Sequence, residues 1–230
     1  MNRVMPLLLA VMMTALTAPG CQSPPRATAP APLPPYPCQR TATPITIDGR
    51  LDEADWQRAE VIEQFYVFAP RGAGGLPVTK VRMLWDHTHL YVGFECEDDD
   101  IWSFSDTPDA ELWFGDVAEF FIKPSVQKLS YAELVVAPNG TLTDAWHESR
   151  GGGGFKRYHG WSSGARVATS ITGTDGPSSD QDTSYSVEIA IPLTSIVKDV
   201  NEASLRGWTF GAFRYDYTKS RDEPLLLMSF

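Results

Sequence analysis

A chain of 230 residues has room for one domain of ordinary size and little more. Hydrophobic residues at 43% and aromatics at 11% suffice for a packed core, which excludes a disordered protein. The formal charge of −10, with no basic stripe to offset it, makes nucleic acid and an anionic membrane surface poor partners. Neutral ligands, cations or plain solubility remain compatible with such a surface.

The N-terminus reads as a targeting segment. Arg3 precedes an apolar run, Met5 to Leu16, of signal-peptide length and too short to span a bilayer. The run ends at Thr17-Ala18-Pro19-Gly20-Cys21, where a cysteine after small residues resembles a bacterial lipobox. Residues 1–20 are then a leader and Cys21 the lipidated N-terminus, and Gln22 in place of aspartate resembles outer-membrane sorting. Ser23 to Pro37 holds seven prolines and cannot pack a core. It suits an extended stalk, so residues 21–42 are the anchor and linker and residues 43–230 the folded domain. Cys38 and Cys96 either pair in an oxidising envelope or leave Cys96 as a buried free thiol.

Beyond Thr43 the signals are those of strands. Thr79 to Trp85 and Leu90 to Glu97 are β-branched and aromatic runs around a turn at Asp86-His87-Thr88-His89. Strands are expected at Asp116 to Ile122, Tyr131 to Ala137 and Thr141 to Trp146. Pro138-Asn139-Gly140 makes the tight turn between the last two. Ala165 to Thr172, Tyr185 to Ile191 and Trp208 to Tyr217 complete the set. Two short helices fit, at Asp52 to Arg58 and from Pro192 onward. The expected fold is all-β, a two-sheet antiparallel sandwich with jelly-roll-like or immunoglobulin-like layering. The chain stops inside an apolar run, Leu225 to Phe230, which points to a shortened C-terminus.

Three residues at spacings of three, Trp113, Asp116 and Glu119, form a candidate ligand site near the start of one strand. An indole stacks on the apolar face of a sugar ring, and carboxylates accept hydrogen bonds from hydroxyls. The alternative is that Trp113 covers a core edge and Glu119 is solvated. Asp98, Asp99 and Asp100 end another strand as a run of hard oxygen ligands that suits Ca²⁺, or as a solvated loop without the spacing of an EF-hand.

Four segments, in order, resemble the family 9 carbohydrate-binding modules. They are Ile47 to Glu53 with Trp56; Thr79 to Asp86 with Leu90-Tyr91-Val92; Trp113 to Phe121; and Glu188 to Leu193. The resemblance implies a two-sheet sandwich that often binds calcium and holds a sugar unit between two tryptophans. It places Trp113 at one of those tryptophans and Glu119 at a hydroxyl-binding glutamate. Two departures stand against it. The strand expected to supply an arginine reads Glu133-Leu134-Val135-Val136, and the second tryptophan would lie past the last residue.

Catalysis is not expected. Gly160-Trp161-Ser162-Ser163-Gly164 fits the hydrolase elbow pattern, but a strand-like run follows it where a helix is required. Gly151 to Gly154 lacks the lysine of a phosphate loop, and His87 with His89 lacks a third ligand. Asp116 and Glu119, three apart on a strand, start on opposite faces, which suits them poorly to flank one bond. The function expected is therefore a non-catalytic, lipid-anchored domain that holds saccharide or polysaccharide at the envelope, beside glycoside hydrolases. The alternatives are a structural or partner-binding lipoprotein without a sugar site, and a haem domain using Met83 with His147 or His159.

Overall fold

The computed structural model describes residues 34–69, 76–150, 160–176, 181–201, 204–217 and 225–229. The leader, Cys21 and most of the proline-rich stalk lie outside the described residues, as do Gly151 to Gly154 and His159.

Eleven strands are described: β1 Gln39–Arg40, β2 Tyr66–Ala69, β3 Thr79–Trp85, β4 His89–Glu97, β5 Val117–Lys123, β6 Tyr131–Val136, β7 Leu142–His147, β8 Arg166–Thr172, β9 Ser184–Pro192, β10 Thr209–Tyr217 and β11 Leu225–Ser229. Two short helices, α1 Ala54–Arg58 and α2 Leu193–Ile196, and a 3-10 turn at Leu112–Phe114 join them. One sheet has the order β1-β3-β4-β9-β8 and the other β2-β11-β10-β5-β6-β7. The pairings are antiparallel except that β1 runs parallel to β3, a departure from the all-antiparallel expectation. β11 lies between β10 and β2, so the terminal apolar run is paired along both edges.

Alternation builds the layers. Val81 and Met83 on β3, Val92 and Phe94 on β4, and Val187, Ile189 and Ile191 on β9 face Ala118, Phe120 and Ile122 on β5 and Leu134 and Val136 on β6. These side chains form the buried core between the sheets. The turns follow local chemistry. The Asp86 carboxylate accepts the N–H groups of Thr88 (2.6 Å) and His89 (2.7 Å) and the hydroxyl of Tyr91 (2.8 Å). Against the upward pull of burial, those donors hold it at about 2.

A second apolar cluster lies on the outer side of the five-stranded sheet. There Ile45, Leu51, Trp56 and Ala59 pack on Leu84, Tyr91 and Ala190. The segment from Ile45 to Ala59 is a strap, and full burial of Trp56 contributes about 3 kcal/mol. Asp55 ties its base, accepting the N–H groups of Ala42 (3.1 Å) and Thr43 (3.0 Å). Glu188 of β9 ties its crest, taking the Trp56 indole N–H at 3.1 Å. Two of the segments that carried the family resemblance thus meet at one carboxylate.

Gly49 lets the strap turn. Its φ is +86°, and a Cβ there would stand 2.4 Å from the Thr169 carbonyl carbon on β8. Gly49→Ala is expected to cost about 2–4 kcal/mol, because left-handed backbone strain adds to a clash with main chain. A thermal melt within a degree of wild type would refute the steric argument.

The two cysteines are free. Cys38 precedes β1, whose Gln39 pairs with Leu84, whereas Cys96 pairs with Thr79 at the far end of β3. That separation, roughly 13 Å along the strand, is beyond the reach of a disulfide.

Candidate functional site

The side of β5 turned away from the core carries Val117, Glu119 and Phe121. Register fixes their neighbours. Glu119 lies between Phe213 on β10 and Val135 on β6, and Phe121 between Gly211 and Glu133. Tyr131 pairs with His147 on β7. Directly opposed residues share a sheet face, so two glutamates, a histidine and four aromatic rings occupy one outer surface.

The rings form a row across the strands. Phe213 meets Phe121 edge-on at 5.2 Å, Phe121 meets Tyr131 at 5.7 Å, and Tyr131 stacks on His147 at 4.6 Å. Gly211 makes room for the row, since a Cβ there would come within 2.8 Å of the Phe213 ring. Tyr215 adds a fourth ring, its hydroxyl held protonated by burial and then by the charges of Glu119 and Glu133.

Glu119 and Glu133 form a diagonal carboxyl pair. Burial, and then the charge and hydrogen bond of Glu133, push the Glu119 carboxyl well above its ordinary range. Two carboxylates this close retain a proton between them. Glu133 is further bonded to the His147 ring. The arrangement offers hydrogen-bond donor and acceptor capacity beside flat apolar rings, as a polyhydroxylated ring requires.

The 3-10 turn closes one end of this surface. Its Leu112 packs on Val117, Val135 and Ala137, against Tyr215. Trp113 follows in the half-buried turn, with its carbonyl accepting the Tyr217 hydroxyl at 2.9 Å. The Trp113 ring meets that of Phe114, with centroids 6.3 Å apart.

Asp116 is fully buried, accepting the N–H groups of Trp102 and Tyr217 at 2.6 Å each. Near it lie Asp98 and Asp216, with one carboxylate oxygen from each of the three within 4.8 Å of the others. The expected ligand trio is thus split, because the two-residue period of a strand sends Asp116 and Glu119 to opposite sides. The expected metal run is split too. Asp98 joins the buried cluster, while Asp99 is exposed and neither it nor Asp100 belongs to the cluster.

The chain matches the carbohydrate family 9 binding domain-like family over residues 47–225. It belongs to that family. Among solved structures, the family 9 domain is similar to a candidate carbohydrate-binding protein from Bacteroides uniformis ATCC 8492. The identity is 14% and the TM-score 0.58, over 84% of this chain and 88% of that one. It is also similar to a family 9 carbohydrate-binding module from Caldicellulosiruptor kristjanssonii. In complex with glucose the identity is 18% and the TM-score 0.52, covering 83% of each chain. In complex with cellotriose they are 19% and 0.52, over 83% of this chain and 82% of that one. No curated protein matches the chain.

Other arrangements weighed from sequence fail on geometry. Met83 lies in the core between the sheets, whereas His147 is on the outer face of the six-stranded sheet and bonded to Glu133, so they cannot be axial to one haem. Ser162 lines an open depression of about 490 Å³ with Asp109, Asn139 and Asp144. No histidine is among its lining residues, and Gly164 leads into strand β8 where the hydrolase elbow needs a helix. What sequence reasoning missed is Glu133, Tyr131, His147, Phe213 and Tyr215. Alternation within each strand marks them as outward-facing, but only the pairing register brings them together.

Proposed function

We propose that this family 9 domain is a non-catalytic saccharide-binding domain that uses the outer face of the six-stranded sheet. Trp113 and the aromatic row stack on sugar rings, and Glu119 and Glu133 bond vicinal hydroxyls. The observation that carries this reading is the carboxyl pair set within an aromatic row, in a domain whose family is carbohydrate-binding. Glucose and cellotriose, bound by similar modules, are the first ligands to try. The same geometry supports a non-catalytic reading, since Asp116 and Glu119 open to different sides of β5 and Glu119 is hydrogen-bonded to Glu133.

Export and anchoring complete the proposal. Residues 1–20 act as the leader, Cys21 carries lipid, and the proline-rich stalk holds the domain off the envelope, at the outer membrane and beside glycoside hydrolases. Metabolic labelling with a radioactive fatty acid tests the anchor. Label that persists in Cys21→Ser would refute it.

Binding is tested by titrating intrinsic tryptophan fluorescence with glucose and cello-oligosaccharides. A saturable shift is expected, weakened about tenfold or more, some 1.4 kcal/mol, in Trp113→Ala and in Glu119→Gln. No response from folded protein across a wider oligosaccharide panel would transfer the reading to a partner-binding lipoprotein.

A further inference from the structure

We propose that the loop between β5 and β6, residues 124–130, docks the domain on an anionic lipid bilayer. Val126 and Leu129 enter the interface of the bilayer, and Lys123 and Lys128 meet its head groups. Val126 and Leu129 are 68% and 70% exposed, the highest values among the exposed large apolar side chains of the described residues. They stand in one short turn built on Ser125, whose hydroxyl accepts the Gln127 N–H and whose carbonyl accepts the Lys128 N–H, each at 3.2 Å. Single exposed apolar residues are ordinary on a protein surface. Two in one loop with a lysine beside each suit a lipid interface, where lysine stems lie along the apolar layer and their ammonium groups reach phosphate.

Charge complementarity selects the occupant. The net charge of −10 opposes an anionic surface, but it is unevenly placed. Residues 98–116, joining β4 to β5, and residues 173–183, joining β8 to β9, hold ten carboxylates and no lysine or arginine. Ser184 pairs with Glu97, so both connections gather at one end of the sandwich. Residues 123–130, at the other end of β5, hold two lysines and no carboxylate. The connection 197–208 reaches β10 at Thr209, the partner of Lys123, and is balanced, with Lys198 and Arg206 against Asp199 and Glu202. The length of β5 separates the acidic end from the loop by about 20 Å, twice the Debye length of about 8–10 Å in ordinary salt. A bilayer at the loop therefore feels the lysines, and it repels the acidic end into the medium.

The route of the chain fits. The Tyr36 ring meets Phe210 edge-on at 5.9 Å, and the partner of Phe210 is Ile122, next to Lys123. The chain thus joins the domain beside the basic end. On the anchor reading, 14 residues separate Cys21 from Tyr36, about 40 Å when extended, which keeps the loop within reach of the bilayer that holds the lipid. Docking would turn the connection that carries Trp113 away from that bilayer. This orientation rests on the anchor and saccharide readings, whereas the affinity of the loop for lipid does not.

The test is sedimentation of the protein from Gln22 onward, without leader or acyl chain, with vesicles of phosphatidylglycerol and phosphatidylethanolamine and separately of phosphatidylcholine. The described strands and core side chains all lie at or after Tyr36, so this protein keeps them. Binding should be about tenfold or more tighter to the anionic vesicles. Val126→Ser with Leu129→Ser should weaken it about tenfold or more, as should Lys123→Gln with Lys128→Gln, which should also flatten its fall with added salt. Thermal melts check that both variants stay folded. Folded wild type that ignores anionic vesicles overturns the proposal, as does equal binding to phosphatidylcholine or wild-type binding by the serine pair. A dimer in ultracentrifugation that the serine pair abolishes, without vesicle binding, gives the loop to a second copy and overturns it too. Because no acyl chain is present, failure here is distinct from failure of the fatty-acid labelling.

Discussion

Glu188→Ala is expected to destabilise the domain by about 4 kcal/mol or more, enough to leave much of it unfolded. Glu188 is fully buried on the outer side of the five-stranded sheet. Its Oε2 accepts the N–H groups of Asp48 (3.0 Å) and Gly49 (3.1 Å), and its Oε1 the Trp56 indole N–H (3.1 Å). Truncation strands three donors at once, each costing about 1–3 kcal/mol, and hollows out the contact beneath the strap. Glu188→Gln keeps one acceptor oxygen and should fall between the two. Urea unfolding followed by tryptophan fluorescence measures this directly, because Trp56 reports on the strap. An alanine variant with an unchanged urea midpoint would mean that the strap is held by its apolar contacts alone.

The same residue sets a pH dependence. Burial, opposed by the three N–H donors, raises its carboxyl from 4.5 to about 7. A folded-state value above the unfolded one means that the native protein holds this proton longer. The contribution to stability is therefore complete below pH 4.5 and lost as pH rises to about 7. Glu188→Gln should flatten that part of the stability profile. An identical slope in wild type and variant would assign it to other carboxyls.

Arg214→Met is the second large effect. It should cost about 3–5 kcal/mol, because it removes the guanidinium that pairs with buried Asp98 and with Asp216 while filling much of the same space. Thr79 also loses its donor at 3.1 Å, and the Tyr185 ring its cationic neighbour at 5.6 Å. Chemical denaturation measures the loss, and it reports mainly the charge because methionine replaces most of the apolar stem. A variant as stable as wild type would show that protons on the aspartates, not Arg214, neutralise the cluster.

Much of the fold was legible before any coordinates. Alternating apolar residues located β3 through β10 to within a residue or two, because a half-buried strand must present every second side chain to the core. Asn139-Gly140 and Asp86 marked their turns because the needed backbone angles and local hydrogen bonds are written into those residue types. The edge strands β1 and β2 escaped notice. Two and four residues carry too little pattern, and their pairing is settled by the neighbours they meet.

The site divided along the same line. Sequence by itself determined which side of β5 each residue could take, and so that Asp116 and Glu119 had to part. It also determined the family, through short segments whose spacing along the chain is local. Only the tertiary structure decided the company each residue keeps. It set Glu133 beside Glu119 and His147 beside Glu133, brought Asp98 and Asp216 to Arg214, and joined Trp56 to Glu188 across 132 residues. Side-chain direction follows from the backbone of one strand. Neighbours across a sheet follow from the register of strands far apart in the chain, which no local pattern encodes.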